Sequence, residues 1–344
     1  MTGTSGGGKG SVLVTGGAGY IGAHTAKALA AAGWTPVVFD SLGNGYLEAV
    51  QFGPFVHGDV RDALAVRQAL KDHGCRAVIH FAGLIEVGRS VVRPDLFFDH
   101  NTFGTAALLQ AMRDAGAERV IFSSTAAVYG TPANGSAPIR ETDARAPINP
   151  YGDSKLAAER MIAASARAFG LTGVALRYFN ACGADPEGRI GEAHWPETHL
   201  IPLALEAALG VGKPLTVFGT DFDTPDGSCL RDYIHVDDLA AAHVAALEAA
   251  FDSGSFQAFN VGVGHGFSVL QVIDAVEQAV GAPVPHTVGP RREGDPPVLV
   301  ADSTRLQQTL GWRPEMTDLV QVVRTAANWR RQPRYGKFPN VLRA

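Results

Sequence analysis

Residues 15–22 read TGGAGYIG, and this octet decides the fold. Gly16, Gly19 and Gly22 follow a β-branched apolar run at residues 12–15 and precede an Ala-rich helical pattern, in the order G-x-x-G-x-x-G. Without Cβ atoms the backbone can turn tightly and approach an anion, and a helix that starts there offers unpaired N–H groups to a pyrophosphate. Glycines in any strand-to-helix turn would look similar. Asp40 adds weight, since it ends the next apolar run about twenty residues on, where a carboxylate accepts hydrogen bonds from an adenosine ribose and repels a 2′-phosphate. The pair of signals favours NAD over NADP.

Working outward, short apolar runs at residues 12–15, 36–40, 77–81, 120–123 and 172–177 alternate with helical stretches at 21–33, 62–73 and 102–116. Strand–helix alternation of this kind is the signature of a parallel sheet, so the expected class is α/β, a Rossmann-type doubly wound parallel sheet. Past residue 179 the pattern changes, with Gly, Pro, Asp and polar residues crowding 183–198 and 219–228. Long loops of this composition often carry binding function. The expected division is a flexible tail at 1–10, an NAD-binding domain at 11–178 and, over 179–344, mainly a smaller C-terminal α/β substrate lobe. Some later segments, such as a helix at 236–250, are expected to return to the first domain.

The chain has 344 residues, 46% of them hydrophobic, enough to bury a large core. A net charge of -5 gives no basic field for nucleic acid or for an anionic membrane, and no segment has the length of an apolar span. Three widely spaced cysteines, Cys75, Cys182 and Cys229, make no C-x-x-C pair and suit a reducing, cytoplasmic setting. The reading assigns no metal site.

Tyr151 and Lys155 stand four apart in NPYGDSKLAAER, residues 149–160, so on a helix they share a face. A phenol with a pKa of about 10 is a poor base at neutral pH, and positive charge from Lys155 or an oxidised nicotinamide would favour phenolate. A Tyr-x-x-x-Lys pair also occurs on ordinary helices. Beside it, the Ser/Thr-rich strand end at 122–125 offers Thr125 to hold a substrate hydroxyl, with Ser123 and Ser124 as alternatives.

These residues resemble the extended short-chain dehydrogenase/reductase superfamily, and within it the UDP-glucose 4-epimerase family. The likeness runs from residue 12 to 329 through LVTGGAGYIG, GDVRD, VIHFAGL, FSSTAAVYG, PYGDSK, LRYFN, GSCLRDYIHV and RREGDPP. The resemblance implies an NAD-dependent isomerase that is a homodimer, through helices including residues 94–113, and acts on a UDP-sugar. It places Asp59 and Val60 at the adenine, Phe81, Ala82 and Gly83 beside the pyrophosphate, and adds Tyr20, Ile21, Asn44 and Tyr178 to the cofactor contacts. Tyr151 and Lys155 take the base and cofactor-ribose roles. For the substrate it implies Asn180, Arg231 and Arg292 at the diphosphate, Asp295 at the uridine ribose and Phe218 at the uracil. Thr125, Tyr151, His199, Leu200 and Leu299 complete that set. Arginine suits phosphate because its fork is planar, permanently charged and rich in donors.

The related 4,6-dehydratases carry Asp-Glu where this chain has Ala126 and Ala127, which cannot transfer protons, and related decarboxylases carry Glu at the second of these positions. The implied reaction interconverts UDP-glucose and UDP-galactose through a 4-keto sugar, with Tyr151 taking the C4 hydroxyl proton. Epimerisation of a UDP-N-acetylhexosamine, UDP-pentose or UDP-uronate stays open, because Leu299 is intermediate in bulk at the position that limits the sugar pocket. His100 and His199 stand where Asn is common, and Ile85 and Glu86 replace a Lys-Ala pair, removing a charge contact to the cofactor. A non-catalytic dinucleotide sensor is the distant alternative, and such modules typically lose the Tyr or the Lys.

Overall fold

The computed structural model describes residues 8–132, 135–292 and 294–336. In chain order the first part runs β1 (Ser11–Thr15), α1 (Tyr20–Ala31), β2 (Thr35–Asp40), β3 (Phe55–His57), α2 (Ala63–Asp72), β4 (Ala77–His80), α3 (Val87–Val92) and α4 (Pro94–Phe97). A π-type stretch, Phe98–Phe103, leads into α5 (Gly104–Ala115), then β5 (Arg119–Thr125), α6 (Pro150–Phe169) and β6 (Thr172–Tyr178). The rest comprises β7 (Asn180–Cys182), α7 (Leu200–Ala208), β8 (Leu215–Phe218), β9 (Leu230–Arg231), β10 (Tyr233–His235), α8 (Val236–Glu248) and β11 (Phe256–Val261). It closes with β12 (Phe267–Ser268), α9 (Val269–Val280), β13 (His286–Gly289), β14 (Val298–Leu299), α10 (Thr304–Leu310) and α11 (Leu319–Arg331).

Seven strands pair in parallel in the order β11-β6-β5-β4-β1-β2-β3. The central strands are buried on both faces, which is why they read as continuous β-branched runs rather than alternating ones. On one face Leu13, Val78 and Val120 pack against Val66, Leu108 and Ile162 of α2, α5 and α6. On the other, Val12, Ile79 and Ile121 meet Leu29, Leu239 and Leu306 of α1, α8 and α10. Each such side chain contributes about 1.5–3 kcal/mol. The sheet is doubly wound, as the strand–helix alternation predicts.

Local chemistry sets the helix ends. Asp62 caps α2 by accepting from Leu64 N and Ala65 N, and Asn149 caps α6 by accepting from Gly152 N, with Pro150 at the first helical position. Gly116 and Gly170 stop α5 and α6 in the left-handed conformation. The predicted helix over 102–116 begins later, at Gly104, because the preceding turn is the wider π type.

Within the seven-stranded sheet the structure adds two strands to the five predicted. β3 is three residues long, and β11, reading FQAFNV, is an edge strand whose first half is only partly buried, so neither has a strong apolar signal. β11 pairs with β6, and helix α8 packs on α1, so segments beyond residue 179 build the first sheet. A second core of α7, α9 and α11 with β7, β8 and β10 lies in the chain's later half. The expected tail at 1–10 is anchored at its end, where Lys9 N donates to Gly33 O and Thr35 N to Gly10 O; residues 1–7 lie outside the described residues. No helix among the described residues is long and apolar enough to cross a membrane.

Candidate active site

The glycine turn sits at the carboxyl end of β1. Gly16 has φ of 71°, and a Cβ there would lie 2.6 Å from Ala82 N, so side chains are excluded both by conformation and by the approach of the β4 strand end. A Cβ on Gly22 would lie 2.2 Å from Gly16 O, which packs α1 against the turn. Gly19 is the N-cap of α1, and no side chain caps that helix. The N–H groups of its first turn, at Tyr20, Ile21 and Gly22, therefore form an anion site of the kind a pyrophosphate occupies. The Tyr20 hydroxyl itself donates to Gly183 O at 2.6 Å, so that side chain ties the turn to the later half of the chain.

Asp40 ends β2, largely buried, and accepts from Ala18 N at 3.0 Å and Leu42 N at 2.8 Å. Burial raises its carboxyl pKa while these two N–H groups oppose the rise. Each oxygen keeps a lone pair toward a hydroxyl partner. These features fit a dinucleotide: a glycine cradle, an uncapped helix start and an acidic strand end. Asn44 lines a small cavity with Ala18, Gly19, Tyr46, His194 and Tyr335. Asp59 is engaged by Arg61, whose Nε and Nη2 donate to it at 3.0 and 2.6 Å, and Val60 is packed into the core.

Phe81 and Ala82 both donate main-chain hydrogen bonds to Thr15 O, bringing the β4 end onto the glycine turn. Gly83 follows, and a Cβ there would come within 2.7 Å of Asn101 Oδ1 and 3.5 Å of Lys155 Nζ. Asn101, buried in the π stretch, accepts from Leu84 N at 2.7 Å and donates to Leu84 O and Ser154 Oγ. It locks the loop after β4 to α6. The sequence reading singled out its neighbour His100 instead; a lone Asn inside a helical pattern, where it is a poor helix former, was the available signal.

On α6, Tyr151 and Lys155 face the end of β5. The Thr125 hydroxyl is the side chain that favours the Tyr151 phenolate. Lys155 Nζ donates to Ser123 O at 3.0 Å and lies 5.0 Å above the Phe122 ring. Burial pushes the Lys155 ammonium down to about 8. Burial also raises the Tyr151 phenol, and the opposing influence is the Thr125 hydrogen bond rather than the expected charge of Lys155. The lysine is turned onto the strand carbonyl, which is why its charge does not set the phenol.

The three hydroxyls at this strand end divide their work. Ser123 Oγ bonds the buried Tyr178 hydroxyl, and Ser124 Oγ donates to Glu159 Oε1 at 2.5 Å. Only Thr125 faces Tyr151, so the alternatives Ser123 and Ser124 serve the frame. Glu159 pairs with Arg177 at 2.6 Å, both fully buried, and Arg177 donates on to the Tyr129 hydroxyl, which donates to Asn260 Oδ1. This network ties α6, β6 and β11 to the turn after Thr125. Ala126 and Ala127 occupy that turn, Ala127 N donating to Thr125 Oγ1.

Of the predicted substrate residues, Asn180, Arg231 and Leu299 lie on β7, β9 and β14, Phe218 ends β8, and His199 and Leu200 start α7. Asn180 Nδ2 donates to Asp232 O at 2.9 Å. Arg231 donates to Leu230 O and Pro296 O and pairs with Asp295 at 3.3 Å. The Arg292 guanidinium lies 3.9 Å from the centre of the Phe218 ring, which brings two of the predicted groups together. Leu299 packs on Val128, Tyr129, Ile139 and Leu156. His199 is the N-cap of α7, just before Leu200, and pairs with Glu192 and Glu197. Ile85 is partly exposed, beside a Glu86 that pairs with Arg89.

Comparison with known proteins gives a consistent result. The family model described as "NAD dependent epimerase/dehydratase family" matches residues 12–262. A UDP-glucose 4-epimerase of Rhizobium meliloti is 49% identical over 319 residues, covering 93% of this chain and 96% of the relative. The crystal structure of a UDP-glucose 4-epimerase from Brucella ovis in complex with NAD superposes with a TM-score of 0.90 at 48% identity, covering 93% of this chain and 98% of that one. The Bifidobacterium longum enzyme, solved with NAD+ and UDP, gives 0.87 at 39% identity, with 93% and 98% covered.

Proposed function

We propose, for a chain that belongs to the NAD dependent epimerase/dehydratase family, that it interconverts UDP-glucose and UDP-galactose at C4 with NAD as its cofactor. The observation that carries this reading is the placement of Tyr151 and Lys155 on one face of α6 at the end of β5, beside the glycine turn through Gly83. NAD is held by the Gly16–Gly22 turn, the α1 N-terminus and Asp40, with Asn44, Asp59, Val60, Phe81, Ala82 and Tyr178 around it. Bound there, NAD would supply the acceptor and donor for the C4 hydride.

Tyr151 removes the C4 hydroxyl proton and later returns it, Thr125 orients that hydroxyl, and Lys155 reaches the cofactor ribose. Asn180, Leu200, Arg231, Arg292, Asp295 and Phe218 hold the UDP part, with His199 beside them. Firm contacts to UDP and few to the sugar let the 4-keto ring turn over between the two hydride transfers. The acids and bases needed for dehydration are absent at Ala126 and Ala127.

Leu299 supports a second substrate reading, because it packs on Val128, Tyr129, Ile139 and Leu156 and is smaller than a Tyr. Incubation with UDP-glucose, UDP-N-acetylglucosamine and UDP-xylose, with and without added NAD, is the test, with the C4 epimers separated and quantified. Fast conversion of UDP-glucose is expected. Conversion of only another sugar would move the assignment to that sugar, and no conversion under any condition would overturn the 4-epimerase reading.

The exposed apolar residues Val91, Val92, Phe98 and Phe103, at 63, 76, 42 and 56% exposure, line the α3–α5 region, and we infer that a second copy covers them in a homodimer. Light scattering on the purified chain and on Phe103→Glu tests this. A cytoplasmic location is consistent with three buried free cysteines.

A further inference from the structure

Glu192, His194, Glu197 and His199 converge in the segment that leads into α7. One potential ligand atom from each lies within 4.8 Å of all the others. His199 Nδ1 is 2.8 Å from Glu192 Oε1 and 3.0 Å from Glu197 Oε1, and His194 Nδ1 is 2.9 Å from Glu192 Oε1. The two carboxylate side chains are 8 and 3% exposed. Glu197 Oε2 is buried with no hydrogen-bond partner, an expensive arrangement for a charged oxygen. Arg330 brings positive charge toward both carboxylates and also pairs with Glu206.

We propose that these four side chains form a binding site for a divalent transition-metal cation of the zinc type. Two imidazoles with two carboxylates make a mixed nitrogen–oxygen donor set, which suits zinc better than the all-oxygen preference of calcium or magnesium. Four ligands at about 2.0–2.2 Å around a tetrahedral ion lie about 3.4 Å from one another. The pairs already at 2.8–3.0 Å need open by only a few tenths of an ångström. The cation displaces the protons that now bridge imidazole and carboxylate, and it takes up the unpaired Glu197 oxygen.

The position gives the site a consequence. The His194 ring stands edge-on to Tyr20, the first residue of α1, at 6.2 Å, and His199 caps α7. A bound ion fixes the segment before α7 where it packs against Tyr20 at the start of α1. The inference does not depend on which sugar the enzyme takes.

The test is a calorimetric titration of ZnCl2 into the full chain after chelator treatment, alongside His194→Ala and Glu197→Gln, with folding of each variant checked by circular dichroism. One zinc per chain is expected, with affinity at least about tenfold weaker in each variant. X-ray absorption at the zinc edge of the wild-type chain is expected to show nitrogen and oxygen neighbours including two imidazoles, and it decides the matter even where a variant fails to fold. Absence of stoichiometric binding, unchanged affinity in a folded His194→Ala chain, or sulfur neighbours that place the ion at a cysteine would each overturn the proposal.

Discussion

Lys155 donates from Nζ to the main-chain oxygen of Ser123 at 3.0 Å, in a buried setting that holds its ammonium down at about 8 instead of 10.5. A lysine whose charged form is disfavoured by folding sits where the proposed reaction uses a cation. The fold bears a cost that the site requires.

The cost is expected to show as pH-dependent stability. Below about pH 8 Lys155 is charged in both folded and unfolded chains, and the folded chain carries the full desolvation cost. As pH rises from about 8 to 10.5 the folded group loses its proton first, and the cost disappears. It amounts to at most about 3 kcal/mol, less about 1 kcal/mol for the hydrogen bond to Ser123. Without cofactor, Lys155→Met is expected to be more stable than wild type at pH 7, with the margin closing by pH 10. Urea denaturation of both chains across that range checks it; a margin independent of pH would refute the assignment.

Tyr151→Phe keeps the ring and removes the proton acceptor, so kcat is expected to fall by about 10²–10⁴ while UDP affinity holds. Thr125→Val removes the one group that offsets burial at the phenol. The limb of the kcat profile that rises with pH should move to higher pH in this variant, because the phenolate is less favoured. An unmoved limb would show that Thr125 does not tune Tyr151.

Breaking the Glu159–Arg177 pair leaves an uncompensated charge beneath the site. Arg177→Met is expected to cost about 3–5 kcal/mol, and adding Glu159→Met is expected to restore much of it. Denaturant melts of the two single variants and the double variant measure the coupling. If Arg177→Met alone costs under 1 kcal/mol, the network is not what holds α6 to β6.

Gly16→Ala puts a Cβ 2.6 Å from Ala82 N at a φ of 71°, so it strains the turn and displaces the β4 strand end. NAD affinity is expected to fall at least about tenfold, with loss of stability of about 1–3 kcal/mol. Gly88→Ala is the control, since a Cβ there meets nothing within 4 Å and improves α3. Calorimetry with NAD on both variants decides.

The parts of the fold and site that were legible in the sequence are those set by local chemistry. The glycine turn, Asp40 at a strand end and the Tyr151–Lys155 spacing follow from backbone freedom, strand length and helix periodicity. What escaped depends on distant partners. Asn101 matters because Leu84 and Ser154 meet it, and β11 is a strand because β6 lies open beside it. The charge on Lys155 was legible but its direction was not, since the Ser123 carbonyl that receives it belongs to another element. Arg177 reads as part of a motif and gives no hint that it is a buried counter-ion until Glu159 is placed opposite it.

A ribosome delivers the strands of this sheet out of step with their final order. Six strands have been made once residue 178 is added, yet β6 gains its outer neighbour only when residues 256–261 emerge. During that interval the N–H and C=O groups along Thr172–Tyr178 form an open edge flanked by Val174 and Leu176, which is a template for pairing with another nascent chain. A fragment that stops anywhere between 179 and 255 keeps that edge for good. Expression of the first half alone is therefore a recipe for aggregates, and chaperone demand concentrates in the translation of those 77 codons.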